Sequence, residues 1–217
     1  MNLVDPDGKM FGDFVDNRGR IIGNDGKYDG KVYVLKISKD EVFENSINGS
    51  EYSLVQLQKA KRFVKNYSGN ADVFSMNSVV YDYFVEIVGD EDMRKQMVDI
   101  VTRDDGSSKW IDDNRREYGG FITNNTVNAV PPGEISNENT ATINIPSGFS
   151  TFHSHPSGID SNNYGFSQPP SDIDIENAGS LTSYVFGRYN GTVYIYNANG
   201  ILSTMPHKRF INFKKRN

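Results

Sequence analysis

The chain has 217 residues, of which 36% are hydrophobic and 24% charged, with a formal net charge of −5 and no cysteine. That length suits one substantial domain, or one domain with an appendage. The acidic balance gives no general attraction for nucleic acid or an anionic membrane. The missing thiols exclude disulfides and thiolate metal sites, so any bound metal must take nitrogen and oxygen ligands. No run reaches the ~18 apolar residues of a membrane-spanning helix. The opening MNLVDPDGKMFGDF lacks the basic start and apolar stretch of a secretory signal, so the chain is expected to be cytoplasmic, or else secreted as part of a larger protein. The 12 Tyr and 13 Phe can build a core despite the polar composition.

Residues 1–38 are rich in Gly and Asp, and their Asp-Gly steps mark tight turns. Short apolar pieces at Arg20–Ile22 and Lys31–Ile37 lie between them, the second alternating like a strand through Val32 and Val34. This reads as a β-hairpin or turn segment without a core of its own. The remainder, 39–217, is expected to form the main domain, with a helical part over 39–90 and a core over 90–217. SLVQLQKAKRFVKNY spaces Leu54, Leu57, Ala60, Lys61 and Val64 as a helix does, with Gly69 as a stop. DVFSMNSVVYDYFVEIVG reads as a second helix ended by Gly89. DEDMRKQMVDIVTRDDG reads as a third, with acids at its start and an Asp-Gly stop. After Trp110 the pattern changes to candidate strands, EYGGFIT, TATINIP and FSTFHSH. A helix start follows in PPSDIDIENAGSL with Ser171 as N-cap, then a hairpin, TSYVFGRYNGTVYIYNANG, turning at Asn190-Gly191. Strands with inserted helices predict an α+β or mixed α/β sheet.

Two of the three histidines sit in FHSHPSG. If Ser150–His155 is extended, alternation sends Phe152 to one face and both His153 and His155 to the other. Paired imidazoles with a carboxylate suit a four-coordinate zinc ion, but two histidines leave the set incomplete. The third ligand is expected in QPPSDID, where Asp174 falls three residues after Ser171. That spacing is also a capping box, so the pair reads equally as a helix start.

His153-Ser154-His155-Pro156-Ser157-Gly158, followed by Pro170-Ser171-Asp172-Ile173-Asp174, with Glu117-Tyr118-Gly119-Gly120-Phe121-Ile122 upstream, resembles the JAMM (JAB/MPN) family of zinc metallopeptidases. The HPSG wording is also close to the RadC-like branch of that superfamily. The resemblance covers roughly residues 90–217. It implies a JAMM/cytidine-deaminase-like mixed sheet flanked by helices, with one Zn²⁺ per chain held by His153, His155 and Asp174 and a water in the fourth place. It further implies Glu117 as general base and Ser171 as hydrogen-bond donor to the oxyanion. Glu134 and Glu138 are rivals to Glu117, but their PPGEISNEN context is loop-like. The chain departs from the family in the fifteen residues between His155 and Ser171, a longer spacer than usual. Its GIDSNNYGFSQ reads as a surface loop beside the metal.

The resemblance implies a protein or peptide substrate, with ubiquitin-like C-terminal conjugates as one class. NLVDPDGKMFGDF, then NDGKYDGKVYVLK, is similar to the junction that precedes the effector of Rhs-type polymorphic toxins. That implies a toxin domain, delivered as part of a larger protein and met by a cognate immunity protein. A non-catalytic JAMM-fold binding module and a RadC-like nucleic-acid-associated protein are the alternatives. Membrane partners are not expected, and the net charge argues against nucleic acid. His207 has no partner motif and reads as a hydrogen-bonding or surface residue. The basic end, HKRFINFKKRN, reads as a solvated tail, or else as a contact for an anionic partner.

Overall fold

The structure is a computed structural model that describes residues 12–27, 29–43, 49–88, 90–104, 114–136, 138, 140–159 and 162–213. It is an α+β fold built on two mixed sheets. The smaller sheet contains β1 (Asp13–Val15), β2 (Ile21–Asn24), β3 (Val32–Leu35) and β4 (Phe84–Ile87), in the order β2-β1-β3-β4. Its β1–β3 pair is parallel and the other two pairs are antiparallel. The larger sheet contains β5 (Gly119–Thr123), β6 (Thr126–Ala129), β7 (Ser150–His155), β8 (Ser183–Gly187), β9 (Thr192–Asn197) and β10 (Gly200–Pro206). The order is β10-β9-β8-β7-β5-β6, with only β7 and β8 parallel.

Alternation along the strands divides the interior into layers. On the small sheet, Val15, Val32, Val34, Val85 and Ile87 face a central core, while Phe14, Tyr33, Leu35 and Phe84 face outward. The outward face is covered by α1 (Leu54–Asn66) and α2 (Ala71–Met76) through Leu57, Ala60, Val64 and Phe74. On the large sheet, Phe152, Tyr184, Phe186, Val193 and Ile195 enter the same central core. That core also takes Met97, Ile100 and Val101 of α3 (Glu91–Val101) and Phe210 of α5 (His207–Ile211). The far face of the large sheet carries Val185, Tyr194, Tyr196 and Ile201, against which α4 (Asp172–Ala178) sets Ile175 and Ala178. The layers are therefore α1 and α2, small sheet, central core, large sheet, α4. The turn-rich segment before residue 38 supplies three strands of the small sheet, and its core is completed by β4 and by α3. The Ile37 amide donates to the Leu202 carbonyl at 2.9 Å and the Ser203 hydroxyl donates to the Leu35 carbonyl at 2.7 Å, joining the end of β3 to β10.

The first and third predicted helices form. Ser53 and Gln56 make a capping box at the start of α1, and Asp90 caps α3 through the Met93 amide. The Asn190-Gly191 hairpin also forms, with Gly191 at φ 66° and the Thr192 amide donating to Asn190 Oδ1 at 3.0 Å.

Three expectations are corrected. Residues 72–88 are not one helix: after α2 and a 3-10 helix at Ser78–Tyr83, the chain straightens into β4. Its β-branched residues lose rotamer freedom in a helix and pack well on a pleated surface. Pairing Val34 with Val85 and Val32 with Ile87 buries them in the central core. TATINIP is not a strand. β7 has β5 on one side and β8 on the other, so neither side of β7 is open to receive it, and residues 140–146 pair with no strand. The first part of the basic end is not a solvated tail: it forms α5, with Phe210 fully buried and its carbonyl accepting from Arg94 Nε at 2.8 Å.

Three strands were not read from the sequence, β1, β6 and β10. β6 follows a two-residue turn in which Asn124 and Asn125 take φ of 49° and 56°, the conformation a type I′ hairpin requires. Gly89, the Asp105-Gly106 stop, residues 214–217 and the DPDG segment lie outside the described residues.

Candidate metal centre

The site lies on the far face of the large sheet. β7 runs STFHSH with Phe152 and Ser154 turned to the central core and with Thr151, His153 and His155 turned to the α4 side, as alternation requires. β7 lies between β5 and the parallel strand β8, with Gly119 opposite His153 and Val185 on its other side. A Cβ at Gly119 would collide with the Phe152 carbonyl and His153 Cβ, so the close approach of β5 to the first histidine depends on glycine.

α4 brings the third group. Ser171 is its N-cap, and Ile175 and Ala178 anchor the helix on Tyr194, Tyr196 and Val185. This sets the first turn over the histidines. Asp174 Oδ1 lies 3.2 Å from His153 Nε2, and Asp174 Oδ2 lies 3.4 Å from His155 Nε2. The two Nε2 atoms are 3.3 Å apart. Ligands held about 2.0–2.1 Å from a zinc ion at tetrahedral angles are separated by about 3.3–3.4 Å. Each spacing is close to such an edge, with the two carboxylate oxygens of Asp174 divided between the rings, Oδ1 towards His153 and Oδ2 towards His155.

The hydrogen bonds around these groups prepare the same atoms. His155 Nδ1 is 3.0 Å from the Ser167 carbonyl, which can only accept. Nδ1 therefore carries the proton, and in the neutral ring Nε2 presents its lone pair to the site. Asp174 Oδ2 accepts from both the Ser171 amide and the Ser171 hydroxyl at 2.7 Å, while the Asp174 amide donates to Ser171 Oγ at 3.2 Å. The capping box is thus present, and it directs the second carboxylate oxygen, Oδ1, at His153. In this structure the Ser171 proton points to Asp174, so the hydroxyl expected to serve an oxyanion serves the ligand carboxylate.

Glu117 precedes β5 and is 6% exposed. Its Oε1 is 3.9 Å from His155 Nε2, longer than a ligand edge. Glu117, His153 and His155 each offer one ligand atom within 4.8 Å of the other two and form a possible ligand triad, and Asp174 adds a carboxylate beside both rings. Glu134 and Glu138 are exposed and do not line the cleft.

The electrostatics follow from crowding these groups out of water. Burial pushes the Glu117 carboxyl above its ordinary range, against the pull of both imidazoles and with Asp174 adding to the rise. Burial alone would lower the His153 pKa, but Asp174 and its hydrogen bond, with Glu117 behind, outweigh it and raise it to about 9. Burial likewise opposes ionisation of Asp174, yet His153 and His155 hold its carboxyl well below the usual carboxylate range. The pair of carboxylates thus recruits positive charge into the space between the rings. The donor set and its geometry fit a divalent cation with nitrogen and oxygen ligands.

Several contributors carried no signal in the sequence. Ser154, between the histidines, is fully buried on the opposite face; its hydroxyl accepts from the Tyr118 amide at 3.0 Å and its amide donates to the Tyr118 carbonyl at 2.8 Å. The Gly133 amide donates to the Glu117 carbonyl at 2.9 Å. Together these fix Glu117 against the histidines. The long spacer after His155 supplies Ser167, and Gln168, 3% exposed, pins it by donating to the Pro156 and Phe166 carbonyls at 2.9 and 2.8 Å and accepting from the Tyr189 amide at 2.8 Å. Its description as a surface loop therefore holds only in part: Phe166 is buried and lines the cleft.

A cleft of about 360 Å³ opens over the four groups. One wall is α4. The other is the unpaired stretch 140–146, whose Thr140, Ala141, Thr142, Ile143 and Ile145 line the cleft, the alanine and isoleucines being the half-buried ones. His207 lies elsewhere, with Nε2 3.2 Å from the Thr192 carbonyl. Among the described residues no helix is long and apolar enough to cross a membrane. No protein-family model, curated protein or solved structure matches the chain.

Proposed function

We propose that the chain is a zinc-dependent peptidase or isopeptidase of the JAMM type. The observation that carries the reading is the cluster of His153 Nε2 and His155 Nε2, 3.3 Å apart, with Asp174 Oδ1 3.2 Å from the first, Asp174 Oδ2 3.4 Å from the second, and the buried Glu117 carboxyl beside them. His153, His155 and Asp174 would hold the ion. Bound there, Zn²⁺ supplies a Lewis acid and an acidified water near neutral pH. Glu117, whose buried carboxyl holds a proton more readily than an exposed one, takes a proton from water and returns it to the leaving amine. Ser171 keeps Asp174 Oδ2 engaged, so that Oδ1 stays aimed at the ion. Gln168 and the Ser167 carbonyl hold the His155 tautomer.

The cleft supports a main-chain substrate. Residues 140–143 and 145 line it as part of a stretch with no strand partner, and peptide groups outside a ladder can pair with those of an extended chain. Among the described residues that line the cleft there is no Lys or Arg, which favours a peptide over a phosphate-bearing nucleic acid. The effector and immunity-protein expectations rest on the DPDG segment, outside the described residues, and form no part of the proposal. A non-catalytic binding module of the same fold would have no use for a complete ligand set with a base beside it.

The test is elemental analysis of purified protein with a broad peptide and isopeptide cleavage screen. About one zinc per chain, and cleavage lost in Glu117→Gln with zinc retained, is the expected result. Zinc-loaded wild-type protein that cleaves nothing in the screen would refute the peptidase reading.

A further inference from the structure

We infer that the cleft selects a substrate residue with an uncharged, apolar side chain next to the bond to be cut, and rejects an acidic one. The inference rests on the peptidase reading and goes beyond it to the substrate's chemistry. Two walls of different origin present the same surface. Ile143 and Ile145 come from the unpaired stretch and are half-buried along the cleft. Ile173 comes from the first turn of α4, between Ser171 and Asp174, and lines the cleft while 68% exposed. Phe166 and Pro156, from the pinned spacer, close the side nearest His155.

An isoleucine that exposed, one residue from a metal ligand, has no core to serve in the folded chain. Its neighbours Ile175 and Ala178 do the packing of α4. Ile173 gains burial only when something fills the cleft.

The charges point the same way. The charged groups on the cleft walls among the described residues are the Glu117 and Asp174 carboxylates. With a dication between them those charges cancel, and the remaining wall is neutral. Away from the metal set the cleft walls carry no Lys or Arg among the described residues, so a substrate carboxylate or phosphate beside them would be buried without a partner. A branched or aromatic apolar side chain loses little and gains contact with the isoleucines.

The experiment uses acetylated hexapeptide amides in which one position is varied among Leu, Phe, Lys and Asp. Binding to zinc-loaded Glu117→Gln protein is measured by calorimetry and cleavage is measured with wild type. Leu or Phe at one position should bind about tenfold or more tightly than Asp there. Ile173→Lys, at an exposed position that does not support the fold, should narrow or reverse that ratio. Equal binding of all four peptides, no binding of any, or a ratio unchanged in Ile173→Lys would overturn the inference. Cleavage without side-chain preference would overturn it while leaving the peptidase reading in place. Selective binding of the apolar peptides without cleavage by wild type would support the inference and count against hydrolysis.

Discussion

The two sheets use their outer faces in opposite ways. The small sheet packs Phe14, Tyr33 and Phe84 outward, and α1 and α2 close over them; Phe14 alone stacks on Tyr33 at 5.1 Å and Phe74 at 5.3 Å and meets Phe84 edge-on at 4.7 Å. The large sheet places Thr151, His153, His155 and Tyr196 on its outer face and covers them only in part. α4 has 7 residues, so it is about 10 Å long, whereas six strands are about 24 Å across. What α4 leaves uncovered is the cleft. A sheet face filled with aromatic rings contributes stability and little else, while a face left partly open keeps polar groups in place at a cost in burial.

That contrast can be broken deliberately. The largest effect is expected at the ligands: Asp174→Asn or His153→Ala should reduce zinc from about one per chain to near zero by elemental analysis, with hydrolysis lost. Glu117→Gln should keep the metal and lower the cleavage rate by about 10²–10⁴-fold, measured as kcat on any peptide the wild type cuts. Phe14→Ala should do the reverse, costing about 3–5 kcal/mol in denaturant unfolding with zinc content unchanged at temperatures where the protein stays folded. Ser154→Ala crosses between the regions. It leaves the buried Tyr118 amide without its acceptor, at about 1–3 kcal/mol, and loosens Glu117, so stability and cleavage rate should both fall while zinc is retained.

The smallest effect is a pH dependence that does not involve the site. Burial, aided by the Arg188 charge and opposed by the Thr192 carbonyl, pulls the His207 pKa from 6.5 to about 4. Below pH 6.5 the unfolded chain takes up a proton that the folded chain refuses until about pH 4. The contribution of His207 to stability is therefore complete above 6.5 and declines as pH falls to about 4. His207→Gln should flatten that part of the profile of Tm against pH.

How much of this was legible depended on the range of the interaction. The common face of His153 and His155 follows from the two-residue period of a strand, and the Ser171–Asp174 capping box from a three-residue spacing; both were readable. The 72–88 stretch is not legible locally, because pairing with β3, some fifty residues earlier, makes its last part a strand. TATINIP has a strand's alternation but finds both edges of β7 taken. Ser154, Gln168 and the Ser167 carbonyl are invisible in the sequence because each acts through a partner chosen by the fold.

By itself, the sequence excluded thiolate ligands, since it has no cysteine, and local periodicity already groups two imidazoles and caps the helix that carries the Asp174 carboxylate. Tertiary structure decided which side of the sheet faces α4, which carboxylate comes within 3.4 Å of the rings, and that a cleft remains above them. Those outcomes depend on contacts between residues far apart in the chain, whose closure entropy is offset only when the whole core forms.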